Sequence, residues 1–244
     1  MKVTFATLLT LALATTGSVT AEMMELKSGS CYSKRFVADF EDQNFNPLLP
    51  TTNVMTSYKG LTYNGFVGEN TRTLIVGGPE NPLPGLVASS GKNFVVSSVV
   101  RDLLQGTSSV KPFGAFQTMN FHSFRFGCAL NTVEGAVGVV TPCSITVKSY
   151  LSGHKKGEKK IEYKPTPTLK QKFEQLKKDI KDAKPNEVLK DVETILTYEM
   201  VKVDLPSEFC DVDLVEFTID GFLEEKALVL GIDDLMYTGH TCGK

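Results

Sequence analysis

From residue 36 to about residue 150 the chain runs in short stretches rich in β-branched and aromatic residues, divided by clusters of Gly, Pro and Asn. That pattern predicts an all-β fold, because such stretches bury one strand face and the clusters reverse the chain. Strands are expected at 36–41, 58–66, 94–100, 116–126 and 145–151, with a polar Pro/Gly-rich loop over 77–91. In the fourth of these, Met119 and Phe121 share one face, while Asn120, His122 and Phe124 take the other. Strand character returns at 201–205, 214–219 and 227–232, and Asp233 and Asp234 close the last run.

Residues 154–199 interrupt the alternation. Leu169, Phe173, Leu176 and Ile180 recur at helical spacing behind Thr168, whose partner Gln171 completes a capping box. Lys184-Pro185 ends that helix, and Val188, Leu189, Val192, Ile195 and Leu196 give a second apolar stripe. The spacing therefore predicts a Lys-rich inserted helical hairpin over about 154–199. Eleven lysines stand against five acids between 154 and 184. In one reading the stripes pack on the sandwich and the lysines are solvated. In the other the lysine face docks an acidic partner, an anionic polysaccharide or lipid headgroups.

Composition then sets the context. The 244 residues, 41% hydrophobic and 22% charged, fit one globular domain. A formal charge of -2 gives no global field toward nucleic acid. Residues 1–21 read as a secretory signal peptide: Lys2, an apolar run around Leu8, Leu9, Leu11 and Leu13, then Val19-Thr20-Ala21. The expected domain is 22–244, secreted to the extracellular space, with no membrane span. No Asn-x-Ser/Thr acceptor occurs.

An oxidising compartment turns the five cysteines toward disulfides. Cys128 and Cys143 are the first expected pair, closing a short loop for about 3 kcal/mol. Cys31 and Cys242 flank the domain and join its ends if the terminal strands are neighbours. Cys210 is then left over, and a free thiol, an intermolecular bridge or a different pairing stays open.

Catalytic signatures are missing: no Gly-x-Ser-x-Gly elbow, Walker loop, dinucleotide fingerprint or His-Glu-x-x-His occurs, and no catalytic residue is assigned. His122 reads as a structural histidine. Adjacent first and last strands would bring Asp39, Glu41, Asp233 and Asp234 together with no neighbouring cation in either segment. Such acids are either solvated at a strand end or share a hard cation.

The residues Asp39-Phe40-Glu41-Asp42, Tyr58-Lys59-Gly60-Leu61 through Tyr63 and Gly65-Phe66, Ser90-Gly91, and Ile232-Asp233-Asp234-Leu235 resemble the secreted galactose-binding-like and carbohydrate-binding jelly-roll modules. The stretches Phe126-Gly127-Cys128-Ala129 and Pro142-Cys143-Ser144-Ile145 are similar to small secreted proteins of filamentous fungi. The resemblance implies a mainly β, antiparallel jelly-roll β-sandwich. It also implies a structural Ca²⁺ with Glu41 and Asp234 as first ligands and Asp39 and Asp233 as seconds. Sugar stacking in such modules uses Trp or Tyr. Trp is absent here, which leaves Tyr58 and Tyr63 as the ligand-binding candidates.

The expected function is that of a non-enzymatic module for extracellular or cell-wall carbohydrate. Its alternatives are a secreted effector or virulence-type protein that binds a host protein, and a glycan hydrolase or lyase on the same scaffold.

Overall fold

A computed structural model of the chain describes residues 31–46, 53–70, 72–73, 81–82, 85–98, 107–131, 138–166, 171, 197–220 and 228–242. The expected signal peptide at 1–21 and the apolar stripes at 169–196 lie outside these residues. The first strands are β1 (Cys31–Ala38), β2 (Ser57–Tyr58), β3 (Leu61–Asn64), β4 (Val67–Asn70), β5 (Arg72–Thr73) and β6 (Asn81–Pro82). Next come β7 (Gly85–Val87), β8 (Asn93–Ser98), β9 (Ser108–Pro112), β10 (Thr118–Asn131), β11 (Gly138–Val140) and β12 (Cys143–Leu151). The last are β13 (His154–Tyr163), β14 (Thr197–Glu199), β15 (Val201–Asp204), β16 (Leu214–Asp220) and β17 (Leu228–Cys242).

Two antiparallel sheets carry the fold. Sheet A runs β11-β10-β17-β8-β4, with β1 added on β17 and β15 on β10; sheet B runs β13-β12-β16-β9-β3-β2. The long β17 organises sheet A. Along one edge β1 pairs with its C-terminal half and β8 with its N-terminal half, while β10 follows its other edge. The two sheets meet around Phe217 of β16, whose ring packs edge-on against Phe66, Phe121 and Phe124. All four rings are buried, and edge-to-face pairs of this kind add to what area burial supplies.

Two irregularities in the β10–β17 ladder, between Phe121 and Ser123 and between Ser123 and Arg125, decide which side chains face the core. The first gives β10 an extra residue and the second gives β17 one. Each bulge reverses the inward-outward alternation on one strand. Phe124 therefore lies in the core with Phe121, correcting its expected place beside His122.

The inserted helical hairpin is overturned. No helical hairpin exists among the described residues, and the lysine-rich start of the expected insert, from His154, is the edge strand β13 paired with β12. Ser152 and Gly153, both at positive φ (51° and 80°), make the two-residue turn that joins them. Alternation explains the strand: Gly157, Lys159 and Ile161 are half-buried and Tyr163 is buried, while the residues between them are exposed. Lysines on an edge strand also discourage pairing with another chain.

Both expected disulfides are present, Cys31–Cys242 and Cys128–Cys143, and Cys210 is a free, half-buried cysteine. Cys31 and Cys242 stand directly opposite in the β1–β17 register, so the bridge closes a pairing that the strands already make.

Candidate functional site

The adjacency expected of the first and last strands is realised, since β1 ends with Ala38 opposite Leu235. The acids that flank this point have separate partners. Asp39 accepts from Lys59 Nζ at 2.8 Å and from the Tyr58 hydroxyl at 3.1 Å. Burial opposes its charge, but Lys59 and Tyr58 outweigh that and hold the carboxyl below its ordinary range. Glu41 Oε1 accepts the Lys92 and Asn93 amides at 2.8 and 2.7 Å. The loop approaches so closely that a Cβ on Gly91 would stand 1.9 Å from Glu41 Oε2, and Gly91 has a φ of +58°.

Asp233 is fully buried. Its Oδ2 accepts the Ser89 and Ser90 amides at 2.8 and 3.2 Å, and its Oδ1 accepts the Asp234 amide at 2.7 Å. Burial, reinforced by the Asp234 charge, pushes the carboxyl up to about 7, although the three amides pull the other way. Asp234, in the left-handed region at φ 49°, accepts from Ser90 Oγ at 2.9 Å and lies 3.5 Å from Arg125 Nε. Asp233, Asp234 and Glu41 thus clamp one loop, residues 89–93, by its own N–H and O–H groups.

Ca²⁺ takes six to eight oxygens. Here the carboxylates face amides, two hydroxyls, a lysine and an arginine, and what this rim leaves buried and unpaired is neutral, Ser89 Oγ and Asn93 Oδ1. Among the described residues no three His, Cys, Asp or Glu side chains form a group able to hold a metal ion. Asp39, Glu41, Asp233 and Asp234 as arranged do not fit a shared calcium.

Tyr58 and Tyr63 are not ligand platforms. They are 7% and 3% exposed, and the Phe40 ring stacks on Tyr58 at 5.1 Å and meets Tyr63 edge-on at 5.7 Å. Tyr58 ends β2 and Tyr63 lies on β3 of sheet B, and both rings turn inward, which the nearby glycines had obscured.

The lysines of β13 are engaged as well. Lys156 Nζ donates to the carbonyls of Cys210 and Asp211, and Lys159 Nζ donates to the carbonyl of Asp204. Lys155 and Lys160 pair with Glu158 and Asp220, and Lys164, just past the strand, pairs with Glu162. The hairpin edge pins the segment around Ser207–Phe209 instead of offering a free cationic face.

A different surface emerges on the outer side of sheet A. Gly127 and Gly231 face each other across β10 and β17, and a methyl on either would stand 2.3 or 2.5 Å from Leu86. This glycine notch seats β7, which pairs in parallel with β14 and covers that half of the sheet. Past the bulges the other half carries polar side chains from three strands: Ser33 and Arg35 of β1, Thr118, Asn120 and His122 of β10, and Met236, Thr238 and His240 of β17. Ser33 and Arg35 are exposed and the rest are half-buried.

The hydrogen bonds tie this group together. His122 Nε2 lies 2.9 Å from Thr238 Oγ1, His240 Nδ1 lies 2.7 Å from Ser33 Oγ, and Arg35 reaches Met236 Sδ at 2.8 Å. Asn120 Oδ1 accepts the Asp211 amide, which leaves its NH₂ group to donate elsewhere. Burial lowers the His122 pKa, and the Arg35 and His240 charges lower it further. The Ser33–His240 contact has the spacing of a nucleophile and base, yet His240 Nε2 is buried without a partner, so no acid orients the ring as acyl transfer requires. In the sequence His122 was visible on the correct face, whereas Thr238 and His240 lie beyond the expected end of the last strand.

The chain matches no protein-family model and no curated protein. A solved structure, a DUF4465 family protein from Bacteroides caccae, is similar to it with a TM-score of 0.40 and 11% identity, over 89% of this chain and 96% of that one. At that level the likeness bears on neither family nor function.

Proposed function

We propose that the chain is an exported, non-enzymatic module that binds extracellular or cell-wall carbohydrate through the open half of sheet A. The observation that carries the reading is the array of hydroxyl, amide, imidazole and guanidinium groups that three strands set side by side there. Sugars present alternating donors and acceptors, and side chains held by strand geometry match them at low ordering cost. Two disulfides accord with an oxidising compartment. The host-protein alternative rested on the hairpin expected at 168–199, nearly all of which lies outside the described residues.

The test is a glycan array together with sedimentation on insoluble wall polysaccharides. Binding that Asn120→Ala and Thr238→Val weaken, while Tyr58→Phe does not, supports the reading. A folded protein that binds no glycan on either platform refutes it.

A further inference from the structure

Within the open half of sheet A the cationic groups are concentrated. Arg35 from β1 lies opposite Thr238 of β17, and Thr238 in turn holds His122 of β10. His240 lies two residues along β17 on the same face, anchored through Ser33. Adjacent strands stand about 4.8 Å apart, so side chains from three of them span about 10 Å. Of the acids near the array, Asp234 is held by Arg125 and Ser90, while Asp211 approaches through its backbone amide, which donates to Asn120.

Three groups that carry or accept positive charge stand close enough for Arg35 and His240 to disfavour the charged form of His122. Among the described residues no carboxylate pairs with Arg35, His122 or His240, and an anion placed among them would relieve the repulsion. Arg35 gives one N–H to a thioether, a weak acceptor, and keeps the rest of its fork. A planar carboxylate suits a guanidinium fork.

We infer that the open half of sheet A holds the ring carboxylates of an acidic polysaccharide, with Arg35 and His122 as the anion-holding groups and Ser33, Thr118, Asn120 and Thr238 facing the ring hydroxyls. This rests on the reading of the same face as a glycan-binding surface and narrows it to a uronate-bearing chain. Among the described residues of this face no aromatic ring offers a stacking platform, so charge carries the affinity and salt weakens it.

The experiment measures binding of the full chain to polygalacturonate, to the same polymer with its carboxylates methyl-esterified, to sulfated dextran and to a neutral β-glucan, at low and high salt. Binding to polygalacturonate that falls at least tenfold on esterification, and falls at least tenfold again in Arg35→Ala or His122→Gln, supports the inference. Lys160→Ala, on the other sheet, should bind as the parent does. Unfolding midpoints within a few degrees of the parent show that the variants fold; Arg35→Gln or His122→Asn serves in place of any that does not.

Equal binding to the ester or the neutral glucan overturns the uronate assignment while leaving the glycan reading standing. Binding to sulfated dextran as tight as to polygalacturonate overturns the choice of carboxylate. Binding to none of the four overturns both.

Discussion

The bridge between Cys31 and Cys242 permits a clean test because both cysteines are exposed, so replacing them with serine opens no cavity and buries no new hydroxyl. The bridge spans 211 residues. Loop-closure entropy for a loop of that length gives about 5 kcal/mol as the upper estimate of its stabilisation, against about 3 kcal/mol for the 15-residue Cys128–Cys143 loop. In a domain of this size each kcal/mol moves the midpoint by about 2–4 °C. The double variant Cys31→Ser/Cys242→Ser should therefore melt roughly 10–20 °C below the parent.

The eight-residue β1 should keep its pairing with β17, because the ladder and the packing of Phe36 on Tyr237 and Phe116 survive the change. Calorimetry on the oxidised parent and the double variant measures the shift, and non-reducing peptide mapping confirms which bridge is gone. A loss under about 1 kcal/mol would refute the reasoning, since it would mean that the unfolded chain gains almost no freedom from opening its longest covalent loop.

Four further outcomes follow from the site. The Asp233 carboxyl, pushed up to about 7, holds a proton in the folded state where the unfolded chain has lost it, so its contribution makes stability fall as pH rises from about 4 to about 7, by about 4 kcal/mol. Urea unfolding at pH 5 and pH 8 should show this slope and Asp233→Asn should flatten it; an unchanged slope in the variant sinks the assignment. Gly91→Ala should cost at least 2 kcal/mol or so, from its positive φ and the approach to Glu41. Adding Glu41→Ala should recover part of that loss, and strict additivity in the cycle would argue against the contact. Chelation with EDTA should leave the unfolding midpoint within about 1 °C, whereas a rise with added Ca²⁺ would restore the calcium that the acids' partners argue against. In NMR titration the His122 ring should titrate below its ordinary range, and a value above it would mean that an unseen acid neutralises the face.

Local patterning carried some of this into the sequence and topology withheld the rest. The runs around Met119, Ile145 and Val215 announce strands because β-branched and aromatic residues alternate there. The cysteine pairs were legible because one closes a short loop between strands and the other marks the domain's ends. β13 was not legible: its inward positions are Gly157, Lys159 and Ile161, so charge masked the alternation and the Ser152-Gly153 turn went unread.

The second half of β17 hid for a related reason. Its inward residues after Leu235 are Tyr237, Gly239 and Thr241, too small and polar beyond the tyrosine to mark a core face. That omission cost the site, because Thr238 and His240 sit between them. The acids were placed on the correct rim, but Glu41, Asp233 and Asp234 take partners in the loop at 89–93, whose contacts cross well over a hundred positions of sequence in the case of Asp233.

The position of β17 has a consequence for how the molecule comes to be. It follows in sequence every strand it pairs with, and β1, β8 and β10 all pair with it. A nascent chain that has not yet delivered these fifteen residues cannot zip sheet A, since its flanking strands are joined only through the missing one. Until then β1, the first strand described, waits without its partner. A polypeptide wired in this way remains threadable through a narrow conduit until its last strand emerges, and completes its architecture in the compartment where that strand, and the cysteine at its end, arrive.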